Sequence, residues 1–419
     1  MSEKPVDRFR RLLLSDPGRS EGYDALTVTL GTDDVQAAAR AARQACAADP
    51  ENRRLRKNLL FLLQRSGAWD LLDTWTPRQP RSLPGRRSHP VDLDRARAVY
   101  DRLMKELDAR RDEGWTPSRV EHWKRSFTMG RGHLANFRRS ELSSGTQNPP
   151  DRPVGFPNLD FSRLYPDVTA EERKREVPAL RRLAMKLLAR LFRRDCPDID
   201  WFDALARDDD RFGARVFEVP GLGTVTFKSI QSAYYACRAA SLVPRNGTVL
   251  EIGGGFGMLA SRLLAIRPDV TCVLTDLPVN MVLTHTYLAS LYGDAVAGLW
   301  EDGDRPGPGQ RALVVPPWRL AELPLQVDLA VNTMSFQHMD ERNHAFYGDV
   351  LRRLGTRRLY HVNRNVHLDN PDHDTMVMPA ERYGFMGDYA VSEQRDFDGR
   401  WIEVVAEARP GLPEPGGSR

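Results

Sequence analysis

The stretch that decides the fold is Thr248-Val-Leu-Glu-Ile-Gly-Gly-Gly-Phe-Gly-Met-Leu-Ala260. Its first residues form the apolar, β-branched run of a parallel strand that is covered on both faces. Gly253, Gly255 and Gly257 then predict a turn, after which apolar residues recur at helical spacing. Glycine lets a ligand lie against bare backbone, and the amino terminus of the following helix offers N–H donors and a partial positive charge. The stretch therefore predicts a strand–turn–helix unit that binds a ligand.

The spacing of the glycines distinguishes two nucleotide ligands. Counted from Glu251, the pattern is Glu-x-Gly-x-Gly-x-Gly. It is typical of loops that bind S-adenosylmethionine (SAM), and it predicts that Glu251 and the three glycines contact this cofactor. The dinucleotide pattern Gly-x-Gly-x-x-Gly/Ala fails from Gly253, because Met258 holds its third place. It succeeds from Gly255 with Ala260, but two extra glycines then precede it. The pattern favours SAM, with an NAD-dependent oxidoreductase as an alternative.

Two further predicted strands end in polar residues. Residues 271–275 are followed by Asp276 and Leu277, and a carboxylate at this position can bind both ribose hydroxyls of either nucleotide. Residues 327–331 are followed by Asn332. Ligands bind at the carboxyl ends of strands in open α/β sheets. We therefore expect Asp276, Leu277 and Asn332 to contact the cofactor.

Composition excludes several classes of protein. The chain has 419 residues, 41% of them hydrophobic, and a net charge of +4. Charges of both signs are interspersed, which argues against a nucleic-acid partner. No apolar run reaches the roughly 18 residues of a membrane span, and the amino terminus lacks the pattern of a signal peptide. The four cysteines show no short pairing, which indicates a reducing compartment, so we expect a cytoplasmic protein.

The order of predicted elements divides the chain into five parts. Five strand–helix units closed by an antiparallel hairpin predict an α/β fold with a Rossmann-like sheet of seven mostly parallel strands, preceded by helical regions. The expected parts are a small helical region at 1–76, which is either a plain appendage or a tetratricopeptide-like hairpin, a Pro- and Arg-rich linker at 77–90, a mainly helical lid or acceptor-binding region at 91–227, the α/β domain at 228–408 and a disordered tail at 409–419.

With these residues placed, the chain resembles a bacterial family of sugar O-methyltransferases over roughly residues 115–405. The resemblance rests on residues 249–257, 276–278, 332–339 and 360–363, with looser similarity at 136–138 and 234–235. It implies a SAM-dependent enzyme that methylates a hydroxyl of a deoxysugar or other glycosyl group in a natural product or polysaccharide. The resemblance further implies acceptor contacts from Tyr234, Tyr235, Asn136, Arg138 and Gln337.

Other functions stay open at this point. The acceptor could be a non-sugar hydroxyl or an amine of a small molecule. The chain could also be a non-catalytic SAM-fold module whose helical amino-terminal half recruits a partner. A homo-oligomer stays open as well.

Methyl transfer to a poorly acidic hydroxyl calls for a general base. His338 follows the strand expected to face the transferred methyl group, and it is the first candidate. His361 is the second, although its place inside a predicted strand favours a core histidine. In family members the residue after the pair Ser335-Phe336 is often acidic, whereas here it is Gln337. A carboxylate base is therefore not expected at this place, and His338 is the preferred candidate. The loop at 369–374 is rich in metal-ligating residue types but matches no fixed spacing, so we expect no metal.

Overall fold

A computed structural model gives the fold of part of the chain. It describes residues 35–48, 62, 89–110, 134, 137–138, 178–196, 202, 205–209, 211–214, 216–301, 304–365, 379–396 and 401–410. Several predictions lie outside these described residues: most of the 1–76 region, the linker up to residue 88, the loop at 369–374 and the tail from residue 411 onward.

The described fold centres on a sheet of eight strands, ahead of which β1 (Phe217–Val219) and β2 (Gly223–Val225) form a separate hairpin. The eight strands are β3 (Thr248–Ile252), β4 (Thr271–Thr275), β5 (Val296–Gly298), β6 (Ala312–Val314), β7 (Leu329–Thr333), β8 (Arg358–Arg364), β9 (Tyr389–Asp396) and β10 (Trp401–Ala408). Their spatial order is β5-β6-β4-β3-β7-β8-β10-β9. Strand β10 runs in the direction opposite to that of the other seven strands. The predicted Rossmann-like sheet with a terminal antiparallel hairpin is confirmed. It has eight strands in place of seven because β5 adds an edge beside β6.

The strand order reverses next to β3. The chain passes from β3 to β4 and then outward to β5 and β6, and it returns at β7 on the other side of β3. In open α/β sheets the crevice at such a reversal, at the carboxyl ends of the strands, is where ligands bind. The glycine turn after β3 lies at this crevice.

Helices cover both faces of the sheet. Alternate residues of β3 belong to the two cores, Val249 to one and Leu250 to the other. Helices α2 to α6 contribute to the first core and α7 to the second, so two helices from the predicted 91–227 region share a core with the sheet. The helices of the described part are α1 (Val35–Ala48), α2 (Leu93–Ala109), α3 (Pro178–Asp195), α4 (Phe227–Leu242), α5 (Met258–Ile266), α6 (Pro278–Tyr292) and α7 (Glu341–Arg353).

Helix α4 is held firmly at both of its ends. Thr226 and Ser229 form a reciprocal capping box at its amino terminus. Further along, the Tyr234 hydroxyl donates to Glu403 of β10 at 2.8 Å, and Arg238 Nε donates to the same carboxylate at 3.1 Å. The carboxyl end of α4 leads into β3, which places its first turn at the carboxyl edge of the sheet.

A buried ion network supports the glycine turn from behind. Arg138 donates to Asp208 at 2.6 Å, and its guanidinium lies 5.5 Å from the ring centre of Phe256 and 5.4 Å from that of Tyr287. Arg262 of α5 is 3.4 Å from the other oxygen of Asp208. Burial alone would raise the pKa of Asp208, but Arg138 and Arg262 bring it below its usual value. The network fixes the aromatic residue within the glycine turn.

We expect Arg138→Leu to destabilise the protein strongly. Removing this guanidinium leaves the buried Asp208 with a weaker set of partners, and breaking a buried ion pair costs about 3–5 kcal/mol. Urea unfolding would measure the loss. Arg97→Leu is the matched control, because Arg97 is exposed on α2 and surface changes usually stay within about 0.5 kcal/mol. Equal stabilities for the two variants would contradict the role given to the network.

Candidate functional site

The glycine turn after β3 has a left-handed backbone at its three motif glycines. The φ angles are +72° at Gly253, +63° at Gly255 and +82° at Gly257. Neighbouring atoms leave no room for a side chain at two of them. A Cβ on Gly253 would lie 2.0 Å from Ser335 Oγ, and one on Gly257 would lie 2.9 Å from Thr284 Cγ2. At Gly255 no described atom comes within 4 Å of such a Cβ, so the turn opens into space there.

Glu251 lies beneath the turn and is 2% exposed. A Cβ on Gly254 would fall 2.7 Å from its Cδ, so the carboxyl packs against the glycine backbone. Among the described residues, Oε2 of Glu251 has no hydrogen-bond partner. Burial raises the pKa of Glu251 to about 8, and the opposing effects of Lys228 and the Ala260 N–H are smaller. A buried carboxyl with an unsatisfied oxygen at this crevice suits a cationic ligand group.

Asp276 follows β4 and tethers the turn. Its Oδ2 accepts from the Gly255 N–H at 2.9 Å, and its Oδ1 accepts from the Leu277 N–H at 2.6 Å and from Asn280 Nδ2 at 2.9 Å. Burial raises the pKa of Asp276 to about 6, although these hydrogen bonds work against the rise. A carboxylate offers about four acceptor positions. The geometry therefore leaves room for one ribose hydroxyl, where the sequence predicted two. Leu277 is half-buried beside it.

Asn332 ends β7 but does not reach the open side of the site. It is fully buried, and its Nδ2 donates to the Ile252 carbonyl at 2.8 Å. Its Oδ1 accepts from the Phe336 N–H and from Asn363 Nδ2, each at 3.0 Å. The predicted cofactor contact is thus corrected: Asn332 joins the carboxyl ends of β3, β7 and β8.

Two residues of the loop after β7 border the turn and were not singled out from the sequence. Ser335 packs directly on Gly253. Met334 has φ +62°, and its Sδ lies 4.0 Å from Gln231 Nε2 on α4. Strained backbone at residues with side chains clusters at functional sites. The only sequence signal for these residues was their position shortly after a strand end.

Gln337 orients the imidazole of His338. The Gln337 Oε1 accepts from the Arg364 N–H at 2.7 Å, so its Nε2 must be the donor in the 2.9 Å contact with His338 Nε2. Neutral His338 therefore carries its proton on Nδ1 and keeps a lone pair on Nε2. Gln337 is 2% exposed. Its geometry is that of a positioning residue, in place of the acceptor contact that the resemblance implied.

His361 is a core residue in β8. It is fully buried, and its Nδ1 accepts from Asn363 Nδ2 at 3.3 Å. Its ring centre lies 6.5 Å from that of Phe336 and 6.0 Å from that of Tyr383. Burial lowers the pKa of His361 to about 3. The enclosed ring does not reach a bound acceptor, so His361 is removed as the second base candidate. Its burial agrees with the expectation of a core histidine.

The upstream residues that the resemblance assigned to the acceptor lie in the core where the structure describes them. The Tyr234 hydroxyl is bound to a carboxylate of β10, and the Tyr235 hydroxyl accepts from Gln231 Nε2 at 3.1 Å. Arg138 belongs to the ion network behind the turn. Each of these three predicted residues is at most 2% exposed, so each positions an element of the fold. Asn136 lies outside the described residues.

The described residues form neither a cluster of metal-ligating side chains nor a membrane-spanning helix. Within the described ranges, no three His, Cys, Asp or Glu side chains come together as a possible metal site. None of the helices described is both long and apolar enough to cross a bilayer.

Solved structures similar to this chain align with less than half of it. No protein-family model and no curated protein matches the chain. The pyocyanin biosynthetic protein PhzM is 18% identical over 44% of this chain and 57% of its own, with a TM-score of 0.32. The mitomycin 7-O-methyltransferase MmcR is 13% identical over 44% and 57%, with a TM-score of 0.30. A geranyl diphosphate methyltransferase solved with SAM is 10% identical over 44% and 88%, with a TM-score of 0.33. The chain thus spans little more than half the length of the first two.

Alanine at Gly253 and alanine at Gly255 should have different effects. Both positions carry the left-handed penalty of roughly 1–2 kcal/mol. At Gly253 the new Cβ also meets Ser335, and overpacking adds about 1–3 kcal/mol. Gly253→Ala should therefore unfold at clearly lower denaturant concentration than Gly255→Ala. Gly255→Ala should stay folded but lose its ligand, because its methyl group enters the open space above the turn. Equal unfolding midpoints for the two variants would contradict this geometry.

Proposed function

We propose that the chain binds SAM at the glycine turn and transfers its methyl group to a hydroxyl of a small molecule. One observation carries the proposal: Glu251 is buried beneath an open, left-handed glycine turn and has an unsatisfied Oε2. The methionyl part of SAM carries an ammonium group that would satisfy this oxygen. Asp276 offers one acceptor position to a ribose hydroxyl, and Gly255 allows close approach to the backbone. Leu277 is proposed as an apolar contact to the nucleoside.

The same charges argue against NAD. Its pyrophosphate would lie at a turn that has the Asp276 carboxylate beside it, so phosphate and carboxylate oxygens would repel each other. NAD also has no amino-acid group for Glu251 Oε2, and an unsatisfied buried polar group costs about 1–3 kcal/mol. The ligand that fits is one with a cationic group near the amino end of the turn.

Calorimetry should show binding of S-adenosylhomocysteine, the demethylated product, and none of NAD. Binding should also strengthen as the pH rises from about 6 to 8. In the free protein Glu251 is largely protonated below its pKa of about 8. The ligand ammonium favours the carboxylate, so binding expels a proton, and the affinity can rise by up to about tenfold per pH unit. Lys228, Asp276 and the Ala260 N–H are the groups that act on this carboxyl.

Glu251→Gln is the matched variant for this measurement. It keeps the shape of the side chain and removes the proton of Glu251, so its affinity should be weak and nearly flat between pH 7 and 8, above the pKa of about 6 at Asp276. Binding of NAD without S-adenosylhomocysteine would overturn the proposed cofactor. A pH-independent affinity in the unaltered protein would show that Glu251 does not contact the ammonium.

His338 is the proposed base for the acceptor. Bound SAM would supply a methyl group on a positively charged sulfur, and the attacking hydroxyl must be positioned and lose its proton. The loop after β7 touches the turn through Ser335, and this supports a reacting centre close to the residues that follow. The unprotonated Nε2 of His338 can take the proton once the acceptor hydroxyl replaces the Gln337 amide as its donor.

We propose a hydroxyl of a deoxysugar or other glycosyl group as the acceptor. Support comes from the family resemblance in residues 249–257, 276–278 and 332–339. A panel of glycosides, phenols and amines tested for methylation would decide the acceptor class. Turnover of phenols or amines without glycosides would favour the alternative acceptors. SAM binding without turnover of any acceptor would favour a non-catalytic module.

His338→Ala should lower turnover by about 10²–10⁴, which is the usual contribution of a general base, and should leave S-adenosylhomocysteine binding unchanged. The measurement uses the best acceptor from the panel. His89→Ala is the control, because this half-buried histidine packs on Gly293, at the far end of α6 from Asp276. A His338→Ala enzyme that keeps more than about a third of the turnover would make the histidine structural.

A further inference from the structure

Lys228 lies in the first turn of α4, at the carboxyl edge of the sheet. The first turn is rigid, because the Ser229 hydroxyl donates to the Ala206 carbonyl at 2.6 Å and accepts from the Thr226 N–H at 2.9 Å. The Lys228 side chain is half-buried. Burial lowers the pKa of Lys228, and Glu251 is the group that opposes this change. One turn further along α4, Gln231 Nε2 lies 4.0 Å from Met334 Sδ in the loop whose Ser335 packs on Gly253, so the first turn of α4 lies beside the glycine turn. The effect of Glu251 on the pKa of Lys228 agrees with this placement.

An amine and a carboxyl thus lie near the glycine turn without forming an ion pair with each other. Within the described part of the chain, Lys228 has no ion pair within 4.0 Å and no hydrogen bond. Glu251 Oε2 has no partner there either. Desolvated charges in proteins are usually paired. An amine and a carboxyl that lie near one turn and lack partners among the described residues suit a ligand that carries both an anion and a cation.

We propose that Lys228 binds the carboxylate of the cofactor's methionyl group while Glu251 binds its ammonium. This inference rests on the proposed SAM site and assigns the part of the cofactor that each charge holds. An α-amino acid has its ammonium and carboxylate on one carbon, so the two side chains need only stand apart by the width of that group. Lys228 is then a binding residue of the cofactor, although it lies upstream of the glycine stretch.

Three ligands separate this role from a structural one. S-adenosylhomocysteine has both charges, its decarboxylated analogue keeps only the amine, and 5′-methylthioadenosine has neither. The full-length protein should bind S-adenosylhomocysteine about tenfold or more tighter than the decarboxylated analogue, which is the effect of one charge-assisted hydrogen bond. Calorimetry measures all three affinities without any substitution. Equal affinities for the first two ligands would overturn the assignment of a carboxylate contact.

The variant Lys228→Met tests whether this residue makes the contact with the ligand carboxylate. The variant should bind S-adenosylhomocysteine about tenfold or more weakly. Its affinity for the decarboxylated analogue should stay unchanged, because that ligand lacks the carboxylate to which Lys228 is coupled. Lys186→Met, an exposed lysine on α3, is the control and should keep the unaltered affinities. Equal losses for both ligands would make Lys228 structural and overturn the inference.

The outcomes also separate this inference from the proposed function. If the unaltered protein binds S-adenosylhomocysteine and discriminates against the analogue, but Lys228→Met does the same, only the role of Lys228 fails. If the unaltered protein binds none of the three adenosine ligands, the SAM site fails and the inference fails with it. Should Lys228→Met not fold, Lys228→Gln and the comparison of ligands on the unaltered protein still decide the matter.

Discussion

The candidate site depends on a turn that has no room for side chains. Gly253 meets Ser335 from the loop after β7, Gly254 meets the carboxyl of Glu251, and Gly257 meets Thr284 of α6. Since a Cβ at any of these places would overlap its neighbour, the contacts set the relative positions of β3, β7 and α6. The bond from the Gly255 N–H to Asp276 then brings in the end of β4. Glu251 and Asp276, two of the groups proposed to hold the cofactor, are placed by this packing.

Phe137 and Arg138, which lie far before the glycine turn in the sequence, pack against its Phe256 and so belong to the same core. Phe256 cannot face the ligand, because its ring packs against Phe137 and Tyr287 with centroid distances of 5.8 and 5.1 Å. Arg138 covers two of these rings and is itself neutralised by Asp208. A buried guanidinium is tolerated only with such partners. Phe137, Arg138 and Asp208, which precede β1, therefore act on the site through packing.

Sequence patterns predicted the backbone of the site better than its side chains. The bounds of β4 were predicted as found, because a uniform apolar run ends at Asp276. Strand β5 and the β1–β2 hairpin were missed, since three-residue strands show no periodicity. Asn332 and Tyr234 are polar residues near the site whose partners, Asn363 and Glu403, lie far along the chain. A polar residue at a strand end looks the same in sequence whether it faces a ligand or another strand.

The buried carboxyl beneath the turn has a physical consequence for the stability of the protein. Keeping Glu251 buried without a full set of partners costs stability, and the raised pKa reflects that cost. Pairing Glu251 directly with Lys228 would relieve it, yet the two groups form no ion pair within 4.0 Å. A protein keeps such a strained arrangement when the surrounding structure enforces it. A ligand that carries a cation and an anion side by side would relieve it, so the two residues proposed to bind the methionyl group would favour an amino-acid group over a neutral nucleoside.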